Sequence, residues 1–261
     1  MPEILEVESY RRLADRVVGA TIVRGWADAY SAKKLTNVAA WNRTVKNLTV
    51  TGTGRRGKLM LLDTSGVQLG IRFGMTGVLL IDDDAGIDGL FYGPHTFKRE
   101  WVRGGLEFSD GRKLLLHDPR RLGRFEVDPD LSELGPDALS LTRKQFDGVV
   151  QSTRGDGPAI KARLLDQSAV AGVGNLLADE ILFRANIDPR TPTGTLSEVQ
   201  RAALYKGFTQ TMRTLQRRGG SHLGDHMDGR YPGAYCPRDG APMLIATIGG
   251  RTTYWCSKHQ A

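Results

Sequence analysis

Long apolar runs, cysteine and negative charge are all scarce in this chain. No stretch approaches the roughly 20 apolar residues that a membrane-spanning helix needs. No basic-then-apolar leader with a cleavage site is visible either, so a cytoplasmic protein without membrane contact is expected. Only two cysteines, Cys236 and Cys256, occur in 261 residues, which excludes a disulfide-stapled scaffold. A reducing compartment also disfavours a bridge between them. Asp and Glu total 29 against 36 Lys and Arg, a formal charge of +7, which favours a polyanionic partner over a basic one. The sequence has no internal repeat and no low-complexity segment.

The positive charge is clustered in Arg55-Arg56-Gly57-Lys58, Arg120-Arg121-Leu122-Gly123-Arg124 and Arg217-Arg218-Gly219-Gly220. Each cluster lies beside glycine, where backbone amides can also approach phosphate oxygens. The chain opens Met-Pro-Glu-Ile-Leu-Glu-Val-Glu. Met1 precedes a small residue and is expected to be trimmed, leaving Pro2 with a free secondary amine. Such an amine titrates roughly near pH 7.7–8.0, against about 10.4 for lysine, so much of it is neutral and nucleophilic. Glu3 and Glu6 follow at once and supply the acid that Schiff-base attack on a sugar carbon requires. The same residues also read simply as the opening of a helix to about Ala14, with Leu5, Val7, Leu13 and Val17 on its apolar side.

The length allows two domains and a small terminal module. Residues 17–126 read as a β-domain, with short apolar runs at Thr21–Arg24, Leu59–Leu62, Val67–Phe73 and Lys113–Leu116 between glycine and aspartate turns. Asp82-Asp83-Asp84-Ala85-Gly86 reads as an exposed turn, and residues 127–139 have linker composition. Helical periodicity then appears over 141–151, 160–165, 174–185 and 197–217, and a short β-hairpin is expected from Arg230 onward. The division that follows is 1–130, 131–220 and 221–261.

Three constellations carry chemistry. Gly172-Val173-Gly174-Asn175 opens a helix, so backbone amides and the positive helix end form an anion site, with Asn175 as cap or phosphate donor. Cys236-Pro-Arg-Asp239 and Cys256-Ser-Lys-His259 flank 16 residues (240–255), the spacing of a zinc ribbon. Asp239 stands where sulfur or nitrogen is usual, and a metal-free hairpin is the alternative. The third set is bland by itself: Lys58 on a turn entering a strand, Met75 between glycines at a strand end, and His117-Asp118-Pro119-Arg120 as a solvated basic loop.

In order along the chain, these residues resemble the formamidopyrimidine-DNA glycosylase / endonuclease VIII family of base-excision repair enzymes. The resemblance rests on Pro2-Glu3, Arg-Gly-Lys58, Gly-Met75-Thr-Gly, Asp118-Pro-Arg-Arg, Leu134-Gly-Pro-Asp-Ala-Leu, Gly172-Val-Gly-Asn175 and Gly250-Arg251-Thr-Thr-Tyr-Trp-Cys256. It implies an α+β multidomain fold: an N-terminal helix with a β-sandwich, a helix–two-turn–helix domain and a zinc-finger-like β-hairpin. It also implies a monomer acting on double-stranded DNA that holds a damaged base or abasic site, with the base flipped out of the stack.

By that resemblance Pro2 is the nucleophile at C1′, Glu3 the acid on the sugar ring oxygen, and Glu6 an assisting carboxylate. Lys58, Asn175 and Arg251 grip phosphates, Arg72 replaces a phosphate-binding histidine, and Met75, Arg120 and Leu122 fill the vacated stack. Cys236, Asp239, Cys256 and His259 would hold one structural Zn2+, with no organic cofactor. Departures from the family pattern are Leu5 for a second proline, Leu122 for a phenylalanine wedge, and Asp239 and His259 for two cysteines. Only 15 residues (221–235) separate Gly220 from Cys236, fewer than cap oxidised guanine in the purine-specific branch. Two other functions remain open on sequence alone: a damaged-DNA binder without catalysis, and an isomerase of small keto acids using the same amine.

Overall fold

The computed structural model describes residues 1–31, 38–91, 93, 96–151 and 156–260, without the side chain of residue 38. Among these, the chain divides into two compact units, Met1–Leu131 and Ser132–Ala261.

The first unit begins with helix α1 (Ile4–Ala14), which buries Val7, Tyr10 and Leu13, spaced three apart on one face. Two four-stranded antiparallel sheets follow. One has the order β1 (Ile22–Ala27), β6 (Val102–Phe108), β7 (Lys113–His117), β5 (Val78–Ile81). The other has β2 (Val50–Arg56), β3 (Leu59–Thr64), β4 (Leu69–Arg72), β8 (Arg124–Val127). One core joins α1 to residues of both sheets, including Val50, Met60, Leu62, Ile71, Leu79, Leu106, Leu114 and Phe125. Arg56 pairs with Leu59, so Gly57 and Lys58 form a two-residue hairpin turn, with Gly57 at φ +56°.

Helix α2 (Val38–Val45) lies inside the stretch expected to be β alone. Trp41 and Val45, four residues apart, share one face and are fully buried. The strand beneath accommodates them through Gly25, where a Cβ would stand 2.3 Å from Val45 Cγ2. Asn42 Oδ1 also accepts the Gly25 N–H at 2.9 Å. This eight-residue helix owes its stability to that docking, since so short a segment is marginal alone.

The second unit contains α3 (Arg143–Gln151), α4 (Ile160–Leu165), α5 (Asn175–Ala185), α6 (Glu198–Arg218) and a hairpin of β9 (Met243–Ile248) with β10 (Arg251–Cys256). Helix α6 starts in a Ser197–Gln200 capping box and stops at Gly219 in the left-handed region (φ +103°). The hairpin begins at Met243, later than Arg230, and residues 230–242 form turns before it. Gly249 and Gly250 both have positive φ, as a two-residue hairpin loop demands.

The stretch with linker composition is docked rather than free. Gly135 N–H donates to Gln167 O at 2.9 Å, Ala138 N–H to Ala171 O at 3.0 Å, and Ala171 N–H to Pro136 O at 2.9 Å. Proline and aspartate there mark turns, and the backbone between them still pairs.

Trp41→Ala is expected to cost about 3–5 kcal/mol, because it removes a fully buried ring that packs 5.1 Å from Phe125. A large fall in the urea midpoint of the first unit checks this; an unchanged midpoint refutes the docking role of α2.

Candidate functional site

In the first unit, the start of the chain is built into the protein. Glu3 is the N-cap of α1 in a reciprocal capping box: its carboxylate accepts from the Glu6 backbone, and Glu6 Oε2 accepts the Glu3 N–H at 2.8 Å. Both carboxylates are buried, as is Pro2. Pro2, Lys58, Arg72, Gly74, Leu122 and Arg124 line one recess. The terminal amine, here on Met1, is lowered from its ordinary value chiefly by burial. Glu3 and Glu6 oppose that shift, while the charges of Lys58 and Arg120 add to it.

Side chains outside the expected set hold these groups in place. Arg55 Nε donates to Glu8 Oε2 on α1 at 3.2 Å, and its Nη1 reaches the Gly57 carbonyl at 3.1 Å, tying the Lys58 turn to α1. The Tyr10 hydroxyl donates to the Gly77 carbonyl at 3.3 Å, tying α1 to the loop that bears Met75.

Asp118, expected in a solvated loop, is fully buried. Its Oδ2 accepts the Leu122 and Gly123 N–H groups, both at 2.7 Å, and its Oδ1 accepts the Arg120 N–H at 3.2 Å. The same Oδ1 accepts the Thr76 hydroxyl at 2.5 Å. One carboxylate therefore fixes both loops that carry Met75, Arg120 and Leu122. The loops touch at Gly74 (φ +59°), where a Cβ would lie 2.5 Å from Leu122 Cβ. Met75 and Leu122 stay exposed on this rigid base, at 37% and 44%.

Arg72 and Arg124 face each other across β4 and β8, and both donate through Nε to Glu126 Oε1, at 2.9 and 2.7 Å. Burial alone would raise the Glu126 carboxyl; the Arg124 hydrogen bond and the Arg72 charge outweigh it and hold the carboxyl below its usual range.

In the second unit, Asn175 is the first residue of α5, and its Nδ2 donates to the Thr252 carbonyl at 3.1 Å. That bond brings Asn175 to the residue next to Arg251, which is exposed directly after the Gly249-Gly250 turn. Beneath them Lys161 is wholly buried. Its Nζ pairs with Asp179 Oδ1 at 2.6 Å and donates to Thr253 Oγ1 at 2.6 Å. Arg230 pairs with the other Asp179 oxygen. In the sequence, Lys161 and Asp179 look like ordinary helix-surface charges.

The ligand atoms of Cys236, Asp239, Cys256 and His259 all lie within 4.8 Å of one another. Both cysteines are free and buried, and His259 Nδ1 stands 2.8 Å from Asp239 Oδ2. The Ala241 N–H, followed by His259, holds the Asp239 carboxyl well below the carboxylate range. Burial raises the Cys236 thiol. Two sulfurs, one imidazole nitrogen and one carboxylate form a donor set that suits a tetrahedral metal ion.

Family models match the chain in two places: the formamidopyrimidine-DNA glycosylase N-terminal domain over residues 1–125, and the H2TH domain of the same enzymes over 134–225. The chain is similar to the formamidopyrimidine-DNA glycosylase of Thermus thermophilus, 33% identical over 283 aligned positions that cover 98% of this chain and 97% of that one. The chain belongs to the formamidopyrimidine-DNA glycosylase family. A second relative, from Rhodopseudomonas palustris, is 31% identical with full coverage of both chains. Among solved structures, the Lactococcus lactis formamidopyrimidine-DNA glycosylase bound non-covalently to DNA containing an abasic site aligns with a TM-score of 0.81. It is 26% identical, with 99% of both chains covered. A MutM protein in complex with DNA containing carbocyclic 8-oxo-G gives a TM-score of 0.81 at 25% identity, again over 99% of both chains. The family's helix, β-sandwich, helical domain and Cys/His-bearing hairpin are all present. Among the described residues no helix is long and apolar enough to cross a membrane.

Asp118→Ala is expected to leave three loop N–H groups without their acceptor, at about 1–3 kcal/mol each. Amide hydrogen exchange at Arg120, Leu122 and Gly123 should speed up by at least tenfold while exchange in β3 holds. Unchanged exchange in the loop would refute the assignment.

Proposed function

We propose that this protein is a bifunctional DNA glycosylase and abasic-site lyase that uses the Pro2 amine as its nucleophile. The observation that carries the reading is a buried Pro2 that shares a recess with Lys58 and directly precedes the two buried carboxylates of the Glu3–Glu6 cap. Family membership supplies the substrate class: double-stranded DNA with a damaged base or an abasic site.

The chemistry follows from the groups present. With Met1 removed, the neutral Pro2 nitrogen attacks C1′ and the C1′–base bond breaks, the base leaving with the bonding pair and taking up the proton that the Pro2 nitrogen releases. Glu3 gives its proton to the ring oxygen as the C1′–O bond opens, and the nitrogen lone pair forms the iminium. A proline iminium carries no N–H, so it stays cationic and acts as an electron sink. The C2′ proton is thereby acidified; its loss expels the 3′ phosphate, and a second elimination releases the 5′ phosphate. Glu6 assists, although its cap on the Glu3 N–H already gives it a structural task. Lys58, Asn175 and Arg251 hold the strand by its phosphates and fix the sugar at the nucleophile. Arg72 adds a further phosphate contact. Met75, Arg120 and Leu122 occupy the space of the flipped nucleotide.

In domain terms, residues 1–130 supply the nucleophile, 131–220 the phosphate grip, and 221–261 the hairpin that presents Arg251. Cys236, Asp239, Cys256 and His259 would hold one zinc ion, which would supply structural stability to the hairpin and take no part in the reaction. The 15-residue connector over 221–235 weakens the case for 8-oxoguanine and leaves oxidised pyrimidines or another lesion as the substrate. The protein works in the cytoplasm as a monomer.

Glu3→Gln separates the two activities. Base excision should fall about 10²- to 10⁴-fold with the loss of a general acid. Cleavage of a ready-made abasic site should largely persist, because that sugar already opens by itself. Equal loss of both activities would refute the assigned role, and wild-type protein that binds lesion DNA without cutting it would favour a binding protein instead. The borohydride-trapping rate on abasic DNA should rise with pH as the Pro2 amine loses its proton, with a midpoint below the ordinary terminal-amine range of roughly 7.7–8.0, because the burial that lowers the Met1 amine also surrounds Pro2. A midpoint above that range contradicts it. Metal analysis should find one zinc per chain, lost in Cys256→Ser.

A further inference from the structure

Arg124 is given no part in the DNA contacts above, yet it lines the same recess as Pro2 and Lys58. It sits directly opposite Arg72 across the β4–β8 ladder, an arrangement that costs free energy when two like charges face each other. The fold offsets that cost with one buried carboxylate. Glu126, two residues further along β8 and so on the same face as Arg124, gives a single oxygen to both Nε atoms. Glu126 thus engages each guanidinium through Nε. Among the described residues, the Nη groups of Arg72 and Arg124 make no hydrogen bond. Both side chains are about one-third exposed, at 29% and 34%, whereas Glu126 is 4% exposed. The trio keeps a net positive charge.

Two guanidinium groups that share one acceptor and line one recess, with Nη groups left unbonded, suit the oxygen pair of a phosphate. We infer that Arg72 and Arg124 form a two-arginine fork for a backbone phosphate of the DNA strand that carries the reacting sugar, with Glu126 as its positioning residue. This rests on the glycosylase/lyase reading, because it presumes DNA in the recess. It makes Arg124 a DNA-binding residue and gives Glu126 a role opposite to its charge: an acid that strengthens the hold on a polyanion.

The test is the salt dependence of binding to a duplex with a tetrahydrofuran abasic-site analogue, which the amine cannot open. Each neutralised phosphate contributes about 0.9 to the slope of log K against log salt. Arg124→Gln should lower the slope by about one and weaken binding about tenfold at moderate salt, whereas Arg124→Lys keeps the charge and should keep the slope. Glu126→Ala should weaken binding although it removes a negative charge, and Glu126→Gln, which retains an acceptor for the two Nε groups, should restore most of it. A purely electrostatic role for Glu126 gives tighter binding in Glu126→Ala and overturns the positioning claim. A wild-type slope retained in Arg124→Gln overturns the fork while leaving the glycosylase reading intact. Wild-type protein with no salt-dependent affinity for this duplex overturns both.

Discussion

The proposed use of the chain end as a nucleophile requires that it be held still, and the reciprocal cap between Glu3 and Glu6 does the holding. A free terminus samples many conformations, and ordering even one residue costs about 1–2 kcal/mol. The capping box meets that cost before any substrate arrives. Helix α1 then passes the constraint onward: Val7, Tyr10 and Leu13 lock it into the sandwich core, Glu8 draws in Arg55 beside the Lys58 turn, and Tyr10 reaches Gly77 beside Met75. The parts of the candidate site in the first unit are therefore referred to one rigid element.

Electrostatics in that unit are a contest that burial wins. Two acidic neighbours raise the terminal amine, while desolvation, Lys58 and Arg120 lower it, and the net shift is downward. The shift favours the neutral form of the amine. In the second unit, buried charge serves support. Lys161, Asp179 and Arg230 form a network whose desolvation is offset by mutual pairing and by the Thr253 hydroxyl. Because Thr252 and Thr253 directly follow Arg251, this network fixes the strand that carries Arg251 and receives Asn175.

Features set by near neighbours in the chain were legible in the sequence. The helix at Ile160–Leu165 has the expected bounds, and those at Asn175–Ala185 and Glu198–Arg218 begin or end within one residue of expectation, because capping signals are local. The Cys-x-x-Asp and Cys-x-x-His knuckles meet because a hairpin of that length returns the chain on itself. Helix α2 escaped because a short Ala-Ala-Trp segment carries little periodicity, and only docking over Gly25 makes it helical. Asp118 escaped because Asp-Pro-Arg-Arg has the composition of a solvated loop, while its carboxylate is consumed by its own loop and by Thr76. Strand register is not encoded locally, so nothing in the sequence could pair Arg72 with Arg124 over Glu126.

The proposed chemistry turns on which atom bonds to the sugar. Reduction of the intermediate with borohydride on abasic DNA, followed by protease digestion and mass mapping of the cross-linked peptide, identifies that atom directly. The expected result is a peptide that begins at Pro2, lacks Met1 and carries the sugar remnant on its terminal nitrogen. A remnant on Lys58 or another lysine, or trapping by protein that retains Met1, would contradict it.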